Sequence, residues 1–215
     1  LSRNVLTEAQ MAFLLAHLAR FDEPSSARDA LRRYRVHVVA EFLYATGLRI
    51  AEAASLVEAN VDLAARLVYL PEGKGGKART AFLTGYAADV LARYLARGRA
   101  AVLGNYGRLH GDTLFGADKS RLASVVNEEL RAVCAKIEIP VITTHGFRHS
   151  LGTHLLRAGC DMRHIQAILG HESLNTTQIY TRVDKDDLKR SLDAFHPRQW
   201  MRDEAPVAPR EVASV

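Results

Sequence analysis

Thr144-His145-Gly146-Phe147-Arg148-His149 opens a helical pattern on side chains that bind anions, and Leu169-Gly170-His171 and Tyr180-Thr181 follow it. His145 and Arg148 stand at i and i+3, which places both on one face of a helix start, beside backbone N–H groups that also favour negative charge. Phosphate is the natural ligand for such an end. His171 directly follows a helix-terminating glycine, so its ring lies outside the regular helix and can point into a cleft. Tyr180 closely follows the polar run Asn175-Thr176-Thr177-Gln178, where an aromatic would otherwise be a surface anchor. Each group also has a plainer role, since a His and an Arg on a helix are usually a solvated face and a Tyr at a helix end usually packs. His145 and His149 have the i, i+4 spacing of a zinc helix. However, the Glu that a metalloprotease carries after its first His is missing, and Arg148 would repel the cation, so no metal site is expected.

Outward from this cluster, helical patterns dominate. Met11, Leu14, Leu15 and Leu18 repeat at three and four residues, marking a helix capped near Thr7. A long helix capped by Ser25 or Ser26 runs to Thr46, with Gly47 placed as its left-handed cap, and a short one spans 50–57. Between Leu67 and Leu83 the pattern changes to two extended runs, 67–70 and 80–83. They flank Gly73-Lys74-Gly75-Gly76-Lys77, which predicts a β-hairpin with a flexible basic loop. Helices are expected again over 86–103, 119–137, in three segments from 144 to 182, and over 184–195. The Pro- and Ala-rich stretch 201–215 reads as a mobile tail. The fold class is therefore α+β, mainly helical, with a small antiparallel sheet at one edge.

The chain has 215 residues, a formal net charge of +5, 48% hydrophobic and 25% charged residues, values of a soluble globular protein. Its most apolar stretch, 36–48, contains His37 and Glu41 and is shorter than the roughly 20 residues of a bilayer span. No export signal is visible at the amino terminus. The basic excess permits a polyanionic partner. Cys134 and Cys160 sit in ordinary helical sequence and read as small buried apolar residues in a reduced cytoplasmic compartment.

Five blocks taken in order resemble the tyrosine recombinases, or phage-integrase family, and within it the Xer-like branch. They are Ala45-Thr46-Gly47-Leu48-Arg49-Ile50-Ala51-Glu52, Gly73-Lys74-Gly75-Gly76-Lys77, His145-Gly146-Phe147-Arg148-His149, Leu169-Gly170-His171 and Thr176-Thr177-Gln178-Ile179-Tyr180. His196-Pro197-Arg198 is similar to the Xer-type ending. The resemblance implies that Tyr180 attacks a DNA phosphate, forming a 3′-phosphotyrosyl link and releasing a 5′-hydroxyl. Arg49 and Arg148 match the arginines that clamp the non-bridging oxygens, and His171 a further donor to them. His145 matches the general base or proton relay. Lys74 matches the general acid for the departing oxygen, with Lys77 the competing candidate in the same loop or a backbone-phosphate contact. Glu52 is placed to orient Arg49. Phe147 stands where the family usually has Leu, a change expected to affect packing rather than chemistry.

The resemblance implies no metal or nucleotide cofactor. The partner it implies is double-stranded DNA carrying a specific site, bound by a homotetramer joined through the carboxy-terminal helix. That helix docking on its own domain is the alternative. A bacterial-type cytoplasmic, DNA-associated location is expected, with no membrane. Residues 1–200 are read as the catalytic domain, without the amino-terminal core-binding domain that such recombinases carry. Arg28, Arg32 and Arg35 form a basic stripe on the second helix, either a phosphate contact or a solvated face. Two other functions share these features: a DNA-binding regulator that does not cut, which would need no nucleophile, and a type IB topoisomerase, which shares the chemistry but relaxes rather than exchanges strands.

Overall fold

In the computed structural model, residues 5–20, 27–71, 78–106, 112–170 and 185–199 are described. The helix α2 (Ala27–Thr46) is the centre of the molecule. From Val36 to Ala45 it is buried all round, which explains why its sequence carries an apolar run rather than a stripe. Around it pack α1 (Glu8–Ala19), α4 (Gly85–Arg93), α5 (Arg99–Tyr106), α6 (Lys119–Lys136) and α7 (Thr144–Arg157). The cap expected at Ser25 or Ser26 lies outside the described residues, while that near Thr7 forms: Thr7 and Gln10 make a reciprocal capping box on α1, with Gln10 N–H donating to Thr7 Oγ1 at 3.2 Å and Thr7 N–H to Gln10 Oε1 at 2.9 Å. Asp161 caps α8 (Met162–Leu169) through Arg163 N–H at 2.7 Å. Cys134 and Cys160 are free and buried, and burial pushes both thiols above their ordinary pKa.

The sheet sits at one edge. β2 (Leu67–Leu70) pairs antiparallel with β3 (Arg79–Phe82), with Val68 opposite Ala81 and Leu70 opposite Arg79. A third strand, β1 (Val61–Asp62), pairs with Leu67 and Val68. Two residues are too few to show alternation, so sequence periodicity misses it. The helix expected over 86–103 consists of α4 and α5 joined through a π turn, Tyr94–Gly98. This turn brings Tyr94 into the core, where its hydroxyl donates to the Leu114 carbonyl at 3.1 Å.

The basic stripe on α2 does not survive as a unit. Arg28 is exposed, but Arg32 faces α6 and pairs with Glu128 at 3.2 Å and Glu129 at 3.5 Å. Arg35 is only 1% exposed. It lies on the part of α2 that other helices enclose, close enough to Tyr94 to act on its hydroxyl, and cannot reach a DNA backbone.

α3 (Ile50–Ser55) and α9 (Lys185–Phe195) complete the described elements. α9 lies on its own chain. Leu188 and Leu192 are buried, Ser191 hydrogen-bonds His164 of α8 at 2.7 Å, Asp193 takes both terminal nitrogens of Arg66, and Lys189 donates to the Ala65 carbonyl at 2.8 Å. Beyond it, His196 is wholly buried. The backbone N–H of Arg198 donates to His196 Nδ1 at 3.0 Å, so the proton resides on Nε2, which donates to the Tyr44 carbonyl at 3.2 Å. His154 is tied in similarly: Nε2 donates to the Leu6 carbonyl at 2.8 Å and Nδ1 accepts from the Tyr44 hydroxyl at 2.8 Å.

Burial pushes His196 down to about 4 from an ordinary 6.5, and lowers His154 as well. The unfolded chain binds these protons first as pH falls, so the stability from neutral burial is present above pH 6.5 and is lost as pH drops toward 4. For His196 that loss amounts to about 3 kcal/mol. Urea midpoints should already fall between pH 6.5 and 5, above the range where ordinary carboxylates titrate. A midpoint that stays level across that interval contradicts this account.

Candidate active site

The site forms where α2 ends. Gly47 has φ +63°, and a Cβ there would stand 2.6 Å from Leu169 and 3.0 Å from Leu151, so only glycine lets α7 and α8 close on this turn. Two residues on, Arg49 adopts an extended conformation ahead of α3. Its backbone N–H donates to Glu52 Oε2 at 2.7 Å, and its guanidinium lies 3.8 Å from Glu52 Oε1 with 54% of the side chain exposed. Glu52 thus orients both the backbone and the side chain of Arg49, as its spacing suggests.

Arg148 comes from the first turns of α7 and is 4% exposed. Nη1 donates to the Gly47 carbonyl at 2.7 Å, while Nη2 is buried without a hydrogen-bond partner among the described residues. Burial pushes Arg148 down to about 10, helped by the nearby positive charges of Arg49 and Arg79 and opposed by Glu52. At neutral pH it is still a cation. A buried, charged, half-satisfied guanidinium is costly alone, and an anion would relieve it.

His145 is exposed one turn before Arg148. Desolvation and the neighbouring His149, Arg148 and Arg49 lower its pKa, so its imidazole is neutral near pH 7 and can accept a proton. The rings of His145 and His149 pack edge to face at 4.4 Å. Among the described residues no cluster of three or more His, Cys, Asp or Glu side chains could hold a metal ion. The Thr144 N–H is taken by Asn127 of α6 at 2.8 Å, so part of the helix-end potential expected at this terminus is already used.

The structure brings together Arg49, Glu52, His145 and Arg148. Lys74, Lys77, His171 and Tyr180 lie outside the described residues. Sequence pattern does not single out two contributors, Asn127 and Arg79. Arg79 opens β3 and donates to Glu52 Oε1 at 2.8 Å; an arginine two positions after Gly73-Lys74-Gly75-Gly76-Lys77 is the one signal that could have pointed to it.

The domain is helical with a small edge sheet, and it gathers two arginines and a histidine around an unsatisfied buried donor, a cationic arrangement suited to an anion. The Phage integrase family pattern matches residues 4–187. The tyrosine recombinase XerD of Ralstonia nicotianae is 37% identical over 199 residues, 91% of this chain and 61% of that protein. XerD of Chlorobaculum tepidum is 39% identical over 202 residues, 91% and 62% respectively. XerC of Bacillus pumilus is 35% identical over 173 residues, 78% and 56%. Among solved structures, the crystal structure of XerA recombinase is 30% identical with a TM-score of 0.60, covering 86% of this chain and 62% of that one. The XerH site-specific recombinase bound to palindromic difH substrate is 25% identical with a TM-score of 0.57, covering 88% and 52%. The chain belongs to the phage integrase family and has the fold of its tyrosine recombinase catalytic domains. It spans about 52 to 62% of the length of these relatives. No helix among the described residues is long and apolar enough to cross a membrane.

Proposed function

We propose that this chain is the catalytic domain of a site-specific recombinase that cuts and rejoins double-stranded DNA through a covalent 3′-phosphotyrosyl intermediate. The observation that carries this reading is the buried Arg148, held by Gly47 with one nitrogen unsatisfied beside Arg49 and the neutral His145. A phosphodiester seated there would have its non-bridging oxygens on two guanidinium groups, whose fixed charge matches the charge that develops in the pentavalent transition state. About one free tyrosine in a thousand is ionised at pH 7. Tyr180 therefore needs a proton acceptor, and the lowered pKa of His145 supports that role for it. The Tyr180 oxygen forms a bond to phosphorus as the 5′-oxygen leaves, taking a proton from Lys74, with His171 as a further donor to the phosphate. The phosphotyrosyl ester conserves the bond, so a second 5′-hydroxyl can reverse the step without ATP or metal.

Assembly as a homotetramer through α9 belongs to the same proposal. The contacts that hold α9 in cis, Arg66 with Asp193 and His164 with Ser191, are the ones a neighbouring chain would supply in exchange. Such a complex acts on DNA in the cytoplasm, and residues 1–200 form its catalytic unit.

The test is incubation with nicked duplexes in EDTA followed by denaturing electrophoresis and peptide mapping. A covalent adduct on Tyr180 is expected. An adduct that persists in Tyr180→Phe overturns the assigned nucleophile, and an adduct that forms only with added metal overturns the mechanism.

A further inference from the structure

Arg79 touches two parts of the chain that are far apart in sequence, Glu52 and Gly170. It is the first residue of β3, two positions after Lys77 in the sequence. Its Nη2 donates at 2.8 Å to Glu52 Oε1, and the other oxygen of that carboxylate holds the Arg49 N–H at 2.7 Å. Its guanidinium also lies against Gly170, where a Cβ would stand 2.9 Å from Cζ and from Nε. Gly170 is the left-handed cap of α8, and the next residue is His171. The Arg79 side chain is 22% exposed, as enclosed as its partner Glu52 at 23%, so the pair is a partly buried, charge-assisted contact rather than a surface ion pair.

We infer that Arg79 is a positioning residue for strand cleavage, holding Glu52, and through it Arg49, against Gly170 at the end of α8. The inference rests on the proposed recombinase reading for its effect on cleavage, while its effect on Arg49 is independent of that reading. A planar guanidinium suits the position because one edge serves the carboxylate while the flat face lies on the glycine. Lysine keeps the charge and loses the flat face.

Three measurements on the intact chain test this. In Arg79→Ala, the Arg49 amide should exchange with solvent about tenfold faster, since its acceptor Glu52 loses an anchor; an unchanged rate overturns the inference whether or not the chain cuts DNA. In single-turnover cleavage of a nicked duplex, Arg79→Ala should be slowed about 10- to 100-fold with DNA affinity within about twofold, and Arg79→Lys should recover part of the rate. The loss should persist on a duplex with sulfur as the 5′-bridging atom, a leaving group that needs no proton, because Arg79 acts on phosphate positioning and not on the general acid. Full recovery on the sulfur substrate overturns the assignment and ties Arg79 to Lys74 instead. Finally, Arg79→Ala combined with Glu52→Gln should be no slower than the worse single variant, since both break one linkage; additive losses overturn it. A wild-type chain that forms no adduct refutes the recombinase reading, while the Arg49 exchange rate still decides the positioning role.

Discussion

Arg148→Ala should slow formation of the covalent DNA adduct by about 10³-fold or more in single turnover, with overall DNA affinity changed little. One well-placed donor to a developing oxyanion contributes about 10²- to 10³-fold, and here a full charge is removed together with its donors. Among the described residues nothing replaces it: Arg49 is half exposed and lies 3.8 Å from Glu52, and His145 is neutral near pH 7. Arg148→Lys separates charge from geometry. A single ammonium cannot donate to the Gly47 carbonyl and present a fixed second donor to a phosphate, so this variant should remain about 10²-fold slow. Affinity should persist because binding sums many phosphate contacts, and losing one lowers the salt slope by about one unit. A rate for Arg148→Ala within tenfold of the parent chain would refute its place at the reacting phosphate.

Glu41→Ala should destabilise the protein by about 3 to 5 kcal/mol, read as a lower urea midpoint with an unchanged slope. Glu41 and Arg198 are each 1% exposed and joined by two hydrogen bonds, at 2.8 and 3.1 Å. The Arg198 guanidinium also lies 3.7 Å over the Tyr86 ring. Removing Glu41 takes away the carboxylate that balances a buried positive charge, whereas removing both charges leaves none to balance. The double variant Glu41→Gln, Arg198→Met should therefore regain most of the loss, because the methionine keeps the apolar stem over Tyr86. A Glu41→Ala chain as stable as the parent would mean that water reaches this pair. The pair ties the segment after α9 to the central helix.

Much of the site was legible because its chemistry is concentrated in short local patterns. The i, i+3 spacing places His145 and Arg148 on one helix face, Glu52 lies three residues from Arg49, and Gly47 marks a left-handed turn; each follows from backbone geometry within a few residues. The helices were legible for the same reason, since their caps and apolar periods are local. What periodicity could not resolve was either very short, such as β1, or dependent on which face of a helix is enclosed. Arg35 belongs to the second kind. It has the spacing of a surface stripe with Arg28 and Arg32, and only the packing of neighbouring helices around α2 buries it.

By itself, the order of blocks from Arg49 to Tyr180 determined the mainly helical class with its edge hairpin and the family resemblance, because caps, turns and motif spacing are properties of neighbouring residues. Tertiary structure alone decided that Gly47 satisfies half of Arg148, that Arg79 reaches both Glu52 and Gly170, that Asn127 caps α7, and that His196 and Arg198 are buried against α2. Those contacts join residues tens of positions apart, and they form only when burial forces distant polar groups to find partners away from water.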